Sequence, residues 1–393
     1  MDNGSHPWFD SVDEPTLRQR KGAKWNKFPA DVLPAWVADT DFAPAPAVMA
    51  ALRRQLDTGD LGYPNLMVEP NPVAAAFSQW AARRYAWTVD PARVLVTTDV
   101  LQPIAGILAR FSEPGDGVVI QTPIYPPFLR ATDMGNRRLV DNPLTSAEGG
   151  YRLDVDGLRR AVDDRTRILL VCNPHNPTGR AFSRAELLAL GELAVERDLL
   201  VVCDEIWADF IYPGGAHIPF ATLGDEIAER TITLTAATKS FSFAGLRLAV
   251  AVFGTAELQE RYSELGRFLL GGASSPGAVA SIAAWTEGDE FVDQMMGYLV
   301  ENRRIVHEAV ATRMPGVKLA LPEATYLAWL DCRELVADGR CSNPSEFFLD
   351  KARVALNDGG DFGVHGEGFA RLNFATSRAV LGQILDRLAE SLA

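Results

Sequence analysis

Residues 233–247 read TLTAATKSFSFAGLR, and Lys239 follows there on an apolar, β-branched run. A lysine at the end of a buried strand sits where desolvation disfavours its ammonium and lowers its pKa, the property that a Schiff-base lysine needs. Taken alone, the same placement also describes a solvated surface lysine, so the sequence on either side has to decide.

On both sides the same texture repeats. VLVTTDV (94–100), GVVIQT (117–122), RILLVCN (167–173), LLVVCDE (199–205), TITLTAAT (231–238) and LAVAVFG (248–254) are short apolar runs bounded by turn signals, which predicts buried strands. RAELLALGELAVERD (184–198) carries apolar residues at helical spacing. Strand, helix, strand in this order predicts a mainly parallel sheet covered on both faces, with ligands gathering at the carboxyl ends of its strands. Residues directly after the apolar runs are therefore the candidates for chemistry.

A chain of 393 residues exceeds what one core usually serves, so two domains are expected. Residues 1–45 contain Pro29, Pro34 and Pro44 and cannot make a core alone; they are expected to drape over the active-site mouth and join the smaller domain. Residues 46–280 form the large domain. Residues 281–393 change texture to a long helical pattern (FVDQMMGYLVENRRIVHEAVATRM, 291–314), a strand-like TYLAWLD (325–331), a helix and a Gly-rich loop before RLNFAT, which predicts a smaller C-terminal α/β domain.

Composition is that of a soluble globular protein, 47% hydrophobic and 23% charged. A net charge of −13 without a Lys/Arg block argues against a nucleic-acid partner. No run of about 18 apolar residues occurs, and MDNGSHPWFDSVDEP is neither basic nor apolar, so a cytoplasmic protein without membrane attachment is expected. Cys172, Cys203, Cys332 and Cys341 lack CxxC spacing and read as buried or incidental thiols, with no metal site.

Two further clusters stand beside the lysine. LLVVCDEIWAD (199–209) puts Asp204 at the carboxyl end of a central strand, where a carboxylate is costly without a cationic partner, although it could instead cap the next helix. VCNPHNPTGR (171–180) predicts a tight, fixed turn after a strand, from which Asn176 could present its amide.

NPHNPTGR, DEIWAD, TKSFSFAGLR and RLNFATSR, in this order and at these separations, resemble the fold-type I aminotransferase superfamily (class I/II) over nearly the whole chain. AWVADTDFAPAP (35–46), GYP (62–64), QTPIYPPF (121–128) and TYLAWLD are similar to the MalY/PatB cystathionine β-lyase (C–S lyase) branch. The resemblance implies an aspartate-aminotransferase-like α/β fold, with a mainly parallel seven-stranded sheet in the large domain. It implies pyridoxal 5′-phosphate as cofactor, an amino-acid substrate and a homodimer with shared active sites.

The resemblance also assigns roles. Lys239 is the Schiff-base lysine and general base, Asp204 the partner of the pyridine nitrogen, Asn176 the donor to the phenolic oxygen, and Tyr125 the ring that stacks on the pyridine. Backbone N–H groups of Val100 and Leu101, with Thr238 and Arg247, are assigned to the phosphate. Tyr63 reaches that phosphate across the dimer interface. Arg371 clamps the substrate carboxylate, with Ala38 and Tyr63 also lining the substrate site.

Several positions depart from the family pattern. Asp99 replaces a usual glycine before the phosphate site, Ala236 a usual hydroxyl residue, and Trp207, placed against the cofactor, a usual tyrosine or histidine. Arg247 is more typical of aminotransferases than of the lyase branch, and NDGGDFGVHGEGF (357–369) lacks the usual proline. These departures suggest a member recruited to a specialised biosynthetic pathway. The leading expectation is β-elimination from an S-substituted L-cysteine to thiol, pyruvate and ammonia. Transamination, decarboxylation and oxidative deamination begin from the same electron sink. A non-catalytic regulatory module is the remote alternative, disfavoured by the intact Lys239.

Overall fold

The computed structural model describes residues 7–147 and 150–393; residues 1–6 of the expected N-terminal segment lie outside the described residues. At its centre is a seven-stranded sheet of β1 (Val94–Thr97), β2 (Gly117–Ile120), β3 (Arg138–Asp141), β4 (Thr166–Cys172), β5 (Leu200–Asp204), β6 (Thr231–Thr235) and β7 (Ala249–Phe253). Their spatial order is β1-β7-β6-β5-β4-β2-β3. All pairings are parallel except those of β7, which runs antiparallel to both β1 and β6. The mainly parallel sheet expected from the sequence is therefore present.

Alternation along the strands shows why it is covered on both faces. Ile168, Leu170 and Cys172 of β4 pack with Ile104, Ile107 and Leu108 of the helix Leu101–Phe111 on one side. Leu169 and Val171 pack with Leu187, Leu190 and Leu193 of the helix Arg184–Glu196 on the other. Neighbouring residues of one strand thus serve opposite layers, and each fully buried leucine contributes about 2 kcal/mol. Ser183 starts the second helix with a capping box: its hydroxyl accepts from the Glu186 N–H, and the Glu186 carboxylate accepts from the Ser183 N–H.

The seventh strand, β3, was not among the apolar runs read from the sequence. It lies at the sheet edge and exposes Arg138 and Leu139, so it lacks the continuous apolar signature of a doubly covered strand.

Beyond the long helix Asp289–Arg313 lies a second, antiparallel sheet of β8 (Lys318–Leu319), β9 (Leu327–Asp331), β10 (Asn357–Asp358) and β11 (Phe369–Asn373), in the order β8-β9-β11-β10. The N-terminal segment is tied to it. Leu33–Pro34 pairs in parallel with Val354–Ala355, and the Asn373 amide donates to the carbonyls of Val37 and Asp39.

Lys24 anchors the same segment. It is 5% exposed and pairs at 2.8 Å with Asp41, which is 2% exposed and also accepts from the Trp25 indole at 2.7 Å. The Lys24 ammonium donates in addition to the Asp39 carbonyl at 2.9 Å. Removing one partner of such a pair strands the other charge in a dry site. Lys24→Met should lower unfolding stability by about 3 kcal/mol in urea titrations; a loss below about 1 kcal/mol would show the pair to be incidental.

Candidate active site

A cavity of about 180 Å³ opens at the carboxyl ends of β1, β4, β5 and β6. Among the residues singled out in the sequence, Ala38, Val100, Leu101, Tyr125, Asn176, Asp204, Trp207, Thr238, Lys239 and Arg247 line it. Arg371 stands behind Asn176, and Tyr63 lies elsewhere, fully exposed.

Lys239 sits in the turn that leaves β6, a turn closed by the Phe241 N–H on the Ala237 carbonyl and the Phe243 N–H on the Thr238 carbonyl. Its half-buried ammonium donates to the Ala38 carbonyl, so the N-terminal segment forms part of the site. Burial pushes this ammonium down to about 8; Asp39 and Asp204 pull it upward, and the charge of Arg371 adds to the depression.

Asp204, the last residue of β5, is 2% exposed. Its Oδ1 accepts from the Ile206 N–H at 3.0 Å, and among the described residues it has no ion-pair partner. Burial pushes the carboxyl up to about 7, against the pull of that hydrogen bond and of Lys239.

The turn after β4 is fixed from several sides. The Asn173 side chain accepts from the Phe182 N–H, and His175 Nδ1 meets the Thr178 hydroxyl at 2.9 Å. Gly179 has φ +70° and its carbonyl receives the N–H groups of Glu323 and Ala324; a Cβ there would lie 2.7 Å from Pro322 Cβ. Only glycine fits that position without displacement. The turn presents Asn176, whose Oδ1 accepts from Arg371 Nη1 at 2.9 Å and whose Nδ2 is the side chain's only donor.

Arg371, on β11, is 3% exposed. Its bonded partners are neutral: Asn176 Oδ1, the Trp36 carbonyl at 3.0 Å, and Asn357 Oδ1. Its Nε has no partner, and no carboxylate lies within ion-pair distance among the described residues. Burial pushes the guanidinium down to about 10.

At the start of the helix Leu101–Phe111 the donors expected for an anion have a partner within the protein. The N–H of Leu101, assigned to an anion, donates to Asp99 Oδ1 at 2.8 Å, as does the N–H of Gln102 at 2.8 Å. Asp99 Oδ2 pairs with Arg247. The carboxylate that departs from the family pattern thus turns toward the helix N-terminus and takes its donors itself.

Tyr125 is partly buried ahead of the helix Pro126–Met134, and burial raises its phenol. Trp207 is buried edge-on against Tyr326, with ring centroids 4.7 Å apart, and its ring centroid lies 5.7 Å from the Lys239 ammonium. Three contributors received no role from the sequence: Asp39, which acts on Lys239; Tyr326, whose hydroxyl donates to the Ala38 carbonyl at 3.2 Å; and Asn357, which holds Arg371. Each lies in a stretch already singled out, Asp39 in AWVADTDFAPAP, Tyr326 in TYLAWLD and Asn357 at the start of the loop that strays from the family pattern.

Comparison with known proteins agrees with this architecture. The family model for aminotransferase class I and II matches residues 37–388. Cystathionine beta-lyase PatB of Bacillus subtilis is 34% identical, the match covering 98% of this chain and 100% of that protein. A cystathionine beta-lyase of Corynebacterium glutamicum is 32% identical over 98% of this chain and 100% of its own length. Among solved structures, the PLP-bound C–S lyase of Staphylococcus hominis superposes with a TM-score of 0.91 at 27% identity, covering 98% of this chain and 99% of that one. A fold, a site at the strand ends and a sequence match that all extend across the chain lead to one conclusion: the chain belongs to the aminotransferase class I and II family.

Proposed function

We propose that the chain is a pyridoxal-5′-phosphate-dependent carbon–sulfur β-lyase that converts an S-substituted L-cysteine and water to a thiol, pyruvate and ammonia. The observation that carries the reading is the unbalanced buried charge around the cavity. Among the described residues, Asp204 is a buried carboxylate with no cation bonded to it, and Arg371 is a buried cation with no carboxylate. Each arrangement is costly unless a ligand completes it. A protonated pyridine nitrogen suits Asp204, and a substrate α-carboxylate suits Arg371. The names of the relatives in Bacillus and Corynebacterium support a carbon–sulfur bond as the one cleaved.

The residues present fit this cofactor. Lys239 would hold its aldehyde carbon, Asp204 its ring nitrogen, Asn176 Nδ2 its phenolic oxygen, and Tyr125 and Trp207 its surroundings. Val100, Leu101, Thr238 and Arg247 would hold its phosphate. When bound, the cofactor supplies an electron sink for the charge left on Cα. Lys239, freed by the substrate amine, removes the Cα proton at Nζ; a base with a pKa near 8 is matched to that task at neutral pH. Arg371 holds the substrate carboxylate, and Ala38 closes the site from the N-terminal segment. The protonated Nζ then gives its proton to the departing sulfur.

The reading extends to a homodimer in which a second copy contributes the exposed Tyr63, and to division of the chain at 1–45, 46–280 and 281–393. A cytoplasmic enzyme is supported by four free cysteines, as a reducing compartment favours.

The deciding assay supplies an S-substituted cysteine without any keto acid. Thiol and pyruvate in equal amounts are expected, whereas product only after a keto-acid acceptor is added would make the enzyme an aminotransferase. Lys239→Ala should lower kcat/KM by about four orders of magnitude, and Asp204→Asn by about two, in steady-state assays with both variants folded by circular dichroism. The depressed Lys239 pKa also sets a pH profile. The neutral amine, about a tenth of the total at pH 7, reaches about nine-tenths at pH 9. Stopped-flow capture of the cofactor should therefore quicken about tenfold over that range and then level. A rate still climbing past pH 10 would mark an unperturbed lysine.

A further inference from the structure

Asp99 and Arg247 form a device that the general reaction does not require. One Asp99 oxygen receives both the Leu101 and Gln102 N–H groups at 2.8 Å, and the other pairs with Arg247. All three donors border the cavity that contains Lys239 and Asp204, or stand one residue from its wall. A phosphate monoester would draw on the same kind of donors, since N–H groups at a helix start and a guanidinium are what anions bind. A carboxylate fixed among them adds a like charge at short range.

We propose that Asp99 is a built-in competitor for the cofactor phosphate, so that this chain binds pyridoxal 5′-phosphate more weakly than the same site would without that carboxylate. The inference rests on the cofactor assignment above. To seat a phosphate, Leu101 must give up the Asp99 oxygen, and Arg247 must turn from carboxylate to phosphate or be shared between them. Arg247 is the more able to move, its side chain being 65% exposed against 23% for Asp99. A brace has the opposite sign: an Asp99 that only held Arg247 in place would strengthen phosphate binding. The two roles differ in sign, which makes them separable.

The test measures dissociation constants of the full-length protein, freed of cofactor by dialysis, for pyridoxal 5′-phosphate and for pyridoxal, which lacks the phosphate. Asp99→Asn keeps a side-chain acceptor for the helix start but removes the charge. It should bind pyridoxal 5′-phosphate about tenfold more tightly and bind pyridoxal as the native protein does. Asp99→Gly also releases the two N–H groups and should bind the phosphorylated ligand at least as tightly as Asp99→Asn; it decides the matter if the asparagine variant misfolds. Unchanged or weaker binding of pyridoxal 5′-phosphate by these variants, with the native protein binding normally, overturns the competitor role and leaves the cofactor assignment standing. Equal tightening for both ligands also overturns it, because the effect would not lie at the phosphate. Failure of the native protein to bind pyridoxal 5′-phosphate at all overturns the cofactor assignment together with the inference.

Discussion

Desolvation of opposite charges at the ends of neighbouring strands is the constraint on which the rest depends. Asp204 ends β5, in register with Leu234 of β6, and Lys239 lies in the turn that β6 enters five residues later. Each has one backbone hydrogen bond and no oppositely charged partner within ion-pair distance among the described residues. The carboxyl is pushed up to about 7 and the ammonium down to about 8, both by burial. The doubly covered apolar strands hold the two groups in place, Asp204 buried and Lys239 half-buried at the cavity wall. The N-terminal segment belongs to the same arrangement, because Ala38 and the buried Lys24–Asp41 pair hold it across the lysine.

Buried charge also explains the reach of the smaller sheet into the site. Arg371 stands on β11 and is held by Asn176 from the turn after β4, Asn357 from β10 and the Trp36 carbonyl from the N-terminal segment. Three separate parts of the chain meet at one guanidinium, each through a neutral oxygen. Such an array orients a cation and leaves its charge available to a ligand.

Much of this was legible in the sequence for a physical reason. Buried strands read as continuous apolar, β-branched runs, so β1, β2 and β4–β7 were recognisable, and residues that follow β1, β4, β5 and β6 are among those that line the cavity. β3 was not, because its Arg138 and Leu139 are exposed, whereas β1 at the opposite edge keeps all four of its residues buried or partly buried. The NPTG turn could be read because its residue types are those a tight turn demands, Gly179 with its φ of +70° among them. Asp39, Tyr326 and Asn357 act through contacts between segments far apart in the chain, and spacing alone does not reveal those. At Asp99 the sequence revealed the conflict with an anion site but not its outcome, since the direction of one side chain depends on the helix start and on Arg247 together.

The most direct test of the central claim is chemical trapping of the cofactor on the protein. Reduction of the native protein with borohydride in the presence of pyridoxal 5′-phosphate, followed by proteolysis and mass spectrometry, should place the phosphopyridoxyl adduct on the peptide that contains Lys239 and on that residue alone. An adduct on another lysine, or none at all, would contradict the account.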